Sequence, residues 1–170
     1  MGTGKSHLGV ATLRTFPAVR LDNKEATQIK LKIERELDNP ESELKESLEK
    51  ALNDGLYNYR KAKCKFYPAA ELFLELSETF INNKSKTKIL DELCSFDCIC
   101  IDDLGAEKLT DTTRQNFYLI VDRMYREMKS LIITTNMTID EINNYEPRIA
   151  SRLSEMGKIY FIDGKDYRVS

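Results

Sequence analysis

Apolar and polar positions along the chain follow several periods, and each predicts an element. Cys98-Ile99-Cys100-Ile101 is a continuous apolar run closed by Asp102-Asp103 and Leu104-Gly105. A short, partly β-branched run of this kind reads as a strand buried on both faces, as in parallel sheets. Leu131-Ile132-Ile133-Thr134-Thr135-Asn136 reads the same way and ends in a polar amide. Between them Phe117, Ile120, Val121, Met124 and Met128 recur at helical spacing, predicting a helix from about Asp111 to Met128, capped by Thr110 or Asp111. Strand, helix, strand implies a parallel crossover. A first helix is predicted from about Ser6 to Arg14, with Leu8, Val10 and Leu13 inward. Cys64–Tyr67 reads as a strand, and Lys158–Ile162 as a last one with alternating faces.

Residues from about 21 to 61 read differently. Ile29, Ile33 and Leu37, then Leu44, Leu48 and Leu52, recur at i, i+4, i+8 in a background of Lys and Glu. Asn39-Pro40 between them reads as an N-cap followed by proline at the first helical position. A helical hairpin inserted after the first helix is the simplest account. It is either a solvated spacer or a docking arm for a partner.

The length of 170 residues fits one domain with a sizeable core. A net charge of −2 gives no global pull toward nucleic acid or membrane. No apolar run approaches the ~20 residues of a membrane-spanning helix, and no secretory leader is visible, so the expected compartment is the cytoplasm, with no membrane partner. Cys94-x3-Cys98-x-Cys100 has some look of a zinc site. Two of those cysteines lie in the buried strand, where free cysteine packs as a small apolar residue, so packing is the expectation.

Candidate chemistry begins at the N-terminus. Gly2-Thr3-Gly4-Lys5-Ser6 matches the back half of the phosphate-binding pattern G-x-x-x-x-G-K-[ST]. Backbone N–H groups and the start of the following helix would cradle an anion. Lys5 would reach the β- and γ-phosphates and Ser6 would supply a hydroxyl to Mg²⁺. His7, on the first helix, reads as a packing or supporting residue beside the nucleotide. Asp102 and Asp103 sit where a parallel strand ends and ligands gather. Asp102 would hold Mg²⁺ and Asp103 would polarise the attacking water. Asn136 could orient that water or touch the γ-phosphate. Arg148 and Arg152 lie four apart on one predicted helix face. They form either a fork for phosphates on a neighbouring subunit or a solvated face paired to Glu146 or Glu155. Arg123, Arg126 and Lys129 could touch DNA phosphates, or simply suit a helix C-terminus.

Gly-Thr-Gly-Lys-Ser-His-Leu, Ile-Asp-Asp-Leu-Gly-Ala-Glu-Lys, Ile-Thr-Thr-Asn and Arg-Ile-Ala-Ser-Arg-Leu stand here in one order. In that order they resemble the AAA+ ATPases of the DnaC-type helicase-loader and IstB-type transposition-helper group. The resemblance covers nearly all of residues 1–15 and 63–168. It implies an α/β P-loop NTPase fold, a three-layer parallel sheet with helices on both faces. It implies Lys5 and Ser6 as Walker A, with Gly2, Thr3, Gly4 and His7 around the nucleotide, and Asp102 and Asp103 as Walker B. Asn136 would be sensor 1. Arg152 would be an arginine finger acting on the next subunit of a homo-oligomer, with Arg148 as companion. Arg168 falls where a sensor-2-like arginine stands. The implied ligands are ATP and Mg²⁺. The implied partners are single-stranded DNA and a replicative helicase, or a transposase in the IstB-like alternative.

Two departures from the pattern set further expectations. The strand that normally precedes the loop, the first core strand, is lacking, and the loop's first glycine falls before Met1. The chain as written is therefore expected to be an N-terminally truncated AAA+ domain spanning 1–170 that binds ATP weakly, or a hydrolysis-deficient piece that serves only as an interaction module. The second departure is the long separation of Lys5 from Asp102, which holds the insertion at about 21–61. A nucleotide kinase is disfavoured by the Thr-Thr-Asn strand end, by the paired Arg148 and Arg152, and by the absence of an acceptor-binding lid.

Overall fold

The computed structural model describes residues 4–39, 44–78, 86–105 and 110–162. It divides into two compact units, residues 1–16 with 63–170, and residues 17–62.

The first unit is built on a parallel sheet in the order β3 (Cys64–Pro68), β4 (Cys98–Leu104), β5 (Ser130–Thr135). β4 is central, and Cys98, Ile99, Cys100 and Ile101 are all inaccessible to solvent. A strand sealed on both sides needs apolar residues at every position, which is why this run does not alternate. Successive side chains point to opposite faces. Ile99 and Ile101 meet Leu72, Phe73 and Leu76 of α4 (Ala69–Glu78), Leu93 of α5 (Lys86–Ser95) and Phe117, Ile120, Val121 and Met124 of α6 (Asp111–Arg126). Phe73 and Phe117 stack edge to face with centroids 6.0 Å apart. Cys98 and Cys100 face the other way, toward α1 (Lys5–Arg14). The sheet thus carries helices on both faces, as expected of a P-loop α/β fold.

α1 comes close to the sheet at Gly9, its buried residue. A Cβ added there would stand 3.0 Å from Cys100 Sγ and 3.4 Å from Thr134 Cγ2. The inward stripe therefore runs through Gly9, and Leu8, one position round the helix, is 53% exposed rather than buried. Val10 and Leu13 are half-buried. α6 begins where expected, with the Thr110 hydroxyl accepting the Thr113 N–H at 3.2 Å. It ends at Arg126, and Met128 beyond it takes φ 51° and is 92% exposed. Its match to the helical period is a coincidence of spacing, because the chain has already left the helix.

Residues 158–162 form no strand. A strand needs a neighbour to receive its N–H and C=O groups, and among the described residues none pairs with them. Tyr160 and Phe161 are left exposed. After β5 come α7 (Ile139–Tyr145), opened by a Thr138–Glu141 capping box, and α8 (Pro147–Met156), with proline at its first turn and Glu146 as N-cap.

The second unit holds the two amphipathic runs as α2 (Asn23–Leu37) and α3 (Lys45–Asn53). Asp22 caps α2, accepting the Glu25 N–H at 2.8 Å. A two-residue antiparallel ribbon, β1 (Val19–Arg20) with β2 (Tyr59–Arg60), joins its ends. Among its described residues, Ala26 and Leu21 are the buried apolar ones. The Asn39 N–H closes the end of α2 on the Glu36 carbonyl at 3.2 Å, and Leu44 stands at the N-cap of α3 as described from Lys45. Pro40 lies outside the described residues.

Replacing Gly9 by valine drives a branched side chain into Cys100 and Thr134. Overpacking of this kind costs about 1–3 kcal/mol, so Gly9→Val lowers the urea midpoint measurably. An unchanged midpoint contradicts the close packing of α1 on the sheet.

Candidate functional site

The ladder between β4 and β5 pairs Ile101 with Ile133, then resumes only at Leu104 with Thr135. Asp102 and Asp103 fall in the gap. Side chains of β5 replace the missing backbone bonds. Thr134 donates its hydroxyl to the Asp102 carboxylate and accepts the Asp103 N–H at 2.9 Å. Thr135 donates to the Leu104 carbonyl at 2.6 Å and accepts the Met137 N–H at 3.0 Å. Asp103 takes φ 57°, in the left-handed region that non-glycine residues rarely occupy. Gly105 takes φ 91°, and a Cβ there would meet Met137 Sδ at 2.7 Å. The carboxyl end of β4 thus leaves regular pairing with β5 where its two carboxylates stand, while Asp102 stays paired with Pro68 of β3.

α1 brings its N-terminus to this end of the sheet. Gly4 opens it at φ 83° and ψ 8°, a left-handed turn into the helix. Lys5 Nζ donates to Asn136 Oδ1 at 2.6 Å, immediately beyond β5. Lys5 and Asn136 are 131 residues apart in sequence, so the contact is purely tertiary. Ser6 is half-buried on the first turn, while His7 is exposed, so the expected packing role for His7 does not hold. Gly2, Thr3 and Arg168 lie outside the described residues.

The donor set suits Mg²⁺, which takes oxygen ligands and is usually held by one or two carboxylates together with substrate phosphates and water. Asp102 offers a carboxylate with one oxygen engaged by Thr134, and Ser6 offers a hydroxyl. Among the described residues no three His, Cys, Asp or Glu side chains gather into a metal cluster. The cysteines do not form one site. Cys94 packs against Met124 in the core on the other side of β4 from Cys98 and Cys100. Burial pushes the Cys98 and Cys100 thiols up to about 12, away from the thiolate that metals bind.

Arg148 and Arg152 share one face of α8, each held by its own chain. Glu146 grips Arg148 through two hydrogen bonds of 2.7 and 2.9 Å, so the Glu146 alternative for Arg148 holds. Arg152 donates to Asp122 of α6 at 2.7 Å and to the Arg148 carbonyl at 3.2 Å. Glu155 pairs instead with the Tyr125 hydroxyl. Both guanidiniums lie against Tyr118, at 4.2 Å for Arg148 and 5.2 Å for Arg152, a cation–π arrangement. Arg148 is the more accessible, its side chain 60% exposed against 25% for Arg152. Arg123 is paired to Asp91 and Glu127, and Arg126 to Asp122. Those two charges are already matched by carboxylates, which favours the structural reading of the basic helix end.

Thr134, Tyr118 and Asp122 were not singled out by sequence. Thr134 sits in a β-branched run, where threonine reads as a strand former. Tyr118 and Asp122 are an i, i+4 pair whose partners lie on another helix, and only the Asp122–Arg126 spacing gives a local signal.

The Arg148 grip holds the Glu146 carboxyl at about 2, well below its usual 4.5. A carboxylate with a depressed folded-state value stabilises the fold above its unfolded value and loses that contribution as pH falls. The Glu146–Arg148 contact therefore persists at pH 5 and gives way only near pH 2, followed by the NMR signal of the Arg148 Nε–H, while its contribution to stability declines as pH falls from about 4.5 toward 2. Glu146→Gln weakens that signal already at neutral pH. A Gln variant indistinguishable from the parent contradicts the pairing.

A family model of the bacterial DnaA ATPase domain matches residues 43–160, more than half of the chain. The uncharacterized protein YqaM of Bacillus subtilis (strain 168) is 28% identical over 117 residues. That match covers 66% of this chain and 36% of YqaM, so the chain spans about a third of its relative's length. A crystal structure of the DnaC helicase loader aligns with a TM-score of 0.49 at 22% identity, covering 86% of this chain and 93% of that one. Among the described residues no helix is long and apolar enough to cross a membrane. The chain belongs to the bacterial DnaA ATPase-domain family.

Proposed function

We propose that the carboxyl end of the sheet binds ATP with Mg²⁺ and hydrolyses it, and that the chain acts as a helicase loader. The observation that carries this reading is the 2.6 Å hydrogen bond from Lys5 Nζ to Asn136 Oδ1. It joins the Walker A lysine to the sensor-like amide beside the carboxylate pair, where open α/β sheets take their ligands.

In this reading α1 offers its first N–H groups and positive end to the phosphates. Lys5 exchanges Asn136 for the β- and γ-phosphate oxygens, and the released amide can face the attacking water. Asp102 and Ser6 hold the metal, which supplies charge neutralisation on the phosphates when bound. Asp103 accepts a proton from the water. The Arg148/Arg152 face, with Arg152 as finger and Arg148 as companion, serves a neighbouring subunit's nucleotide. Arg152 must then trade Asp122 for a phosphate, so assembly and finger release are one event. An arginine supplied in trans raises hydrolysis roughly 10³–10⁵-fold. Single-stranded DNA and a replicative helicase are the proposed partners, supported by the motif order. The segment at 17–62, which forms its own compact unit, is proposed as an insertion in the ATPase domain.

Titration with millimolar Mg·ATP, followed by amide shifts, is expected to move Gly4, Lys5 and Asn136, and Lys5→Ala is expected to remove the response. Asp103→Asn is expected to keep binding and to slow hydrolysis by about 10²–10⁴-fold, measured as phosphate release with and without single-stranded DNA. No shift at Lys5 or Asn136 at saturating nucleotide contradicts the ATPase reading. Unchanged release on adding single-stranded DNA and a replicative helicase contradicts the loader role.

A further inference from the structure

We infer that Thr134 is a positioning residue for the carboxylate pair, one hydroxyl setting both the side chain of Asp102 and the backbone of Asp103. This rests on the ATPase reading proposed above.

A threonine hydroxyl has one proton to give and lone pairs to receive with. Thr134 gives its proton to Asp102 Oδ1 and receives the Asp103 N–H at 2.9 Å. The two bonds fall where the β4–β5 ladder is interrupted, so no regular pairing with β5 holds this stretch, although Asp102 still pairs with Pro68 of β3 on the other side. Asp103 stands at φ 57°, and a left-handed aspartate keeps that conformation only where its surroundings fix it. Its bonded N–H is the fixing contact described at this position. The result is a division of roles. Asp102 presents its second oxygen to a cation, while Asp103, turned by its backbone, projects from the next position and is exposed.

The other branch of Thr134 makes the arrangement directional. Its Cγ2 lies against α1, 3.4 Å from where a Cβ on Gly9 would be. Thr134 is 9% exposed, so water has little access to replace the hydroxyl. The methyl packed on α1 fixes the side-chain rotamer, and that rotamer aims the hydroxyl. Thr134 therefore links the helix that carries Lys5 to the carboxylates across the site.

Valine matches threonine in shape and lacks the hydroxyl; serine keeps the hydroxyl and lacks the methyl. Thr134→Val and Thr134→Ser are compared with the parent by two measurements. The first needs no ligand. Hydrogen exchange at the Asp103 amide is expected to quicken about tenfold in the Val variant and to stay near the parent in the Ser variant, the scale of one lost hydrogen bond. The second is Mn²⁺ affinity in the presence of a non-hydrolysable ATP analogue, read by electron paramagnetic resonance. It is expected to fall about tenfold for Val and to recover with Ser, while metal-free binding of the analogue is unchanged in both. Parent-like exchange and Mn²⁺ affinity in the Val variant overturn the inference. Equal losses in Val and Ser also overturn it, since the methyl rather than the hydroxyl then carries the effect. A parent chain that takes up neither analogue nor Mn²⁺ overturns the ATPase reading and the metal-positioning role with it, and the exchange measurement still decides the hydrogen bond to Asp103.

Discussion

The structure of the site depends on an interruption in the β4–β5 ladder after Ile101. A regular parallel ladder would spend the Asp103 N–H on a carbonyl of the neighbouring strand and leave Asp102 and Asp103 on strictly alternate faces. Here two threonine hydroxyls take over from the backbone. Buried backbone groups must be satisfied one way or another, and side chains that satisfy them also choose where the chain turns. The left-handed Asp103 and Gly105 follow from that choice. So does the Cβ-free position at Gly105, which lets Met137 close over the strand end.

Around this bend the rest is arranged by packing. Gly9 lets α1 settle on Cys100 and Thr134, and that seat delivers Lys5 to Asn136. On the opposite face the cluster of α4, α5 and α6 seals Ile99 and Ile101. The same α6 carries Tyr118 and Asp122, which hold the arginines of α8. Exposed ion pairs contribute little on their own, but Asp122 is only 14% exposed and takes both Arg126 and Arg152. A role for Arg152 on a neighbouring subunit is thus a competition between Asp122 and a phosphate, and Arg148, braced on Tyr118, is the arginine that already faces solvent.

The core was legible in the sequence where burial leaves a pattern. Cys98 to Ile101 and Phe117 to Met124 announce themselves because a strand sealed on both sides and a helix with one buried face have fixed periods. Leu8 and Met128 fit the helical period too, but period does not reveal that glycine makes the close contact on α1 or that α6 stops at Arg126. Ile159 to Ile162 alternate like a strand, yet alternation carries no partner. Lys5, Asp102, Asp103 and Asn136 were visible because each belongs to a short motif. Thr134 and Asp122 were not, because their meaning lies in contacts between strands and helices far apart in sequence.

The central claim is that Lys5, Asn136 and the Asp102–Asp103 pair surround the phosphates of a bound nucleotide. A crystal structure of the chain with Mg²⁺ and a non-hydrolysable ATP analogue tests it most directly. The account predicts phosphate density against the N-terminus of α1, with Lys5 Nζ moved from Asn136 onto the phosphates and the metal beside Asp102. A nucleotide bound elsewhere, or a Lys5–Asn136 contact unchanged beside it, contradicts the account.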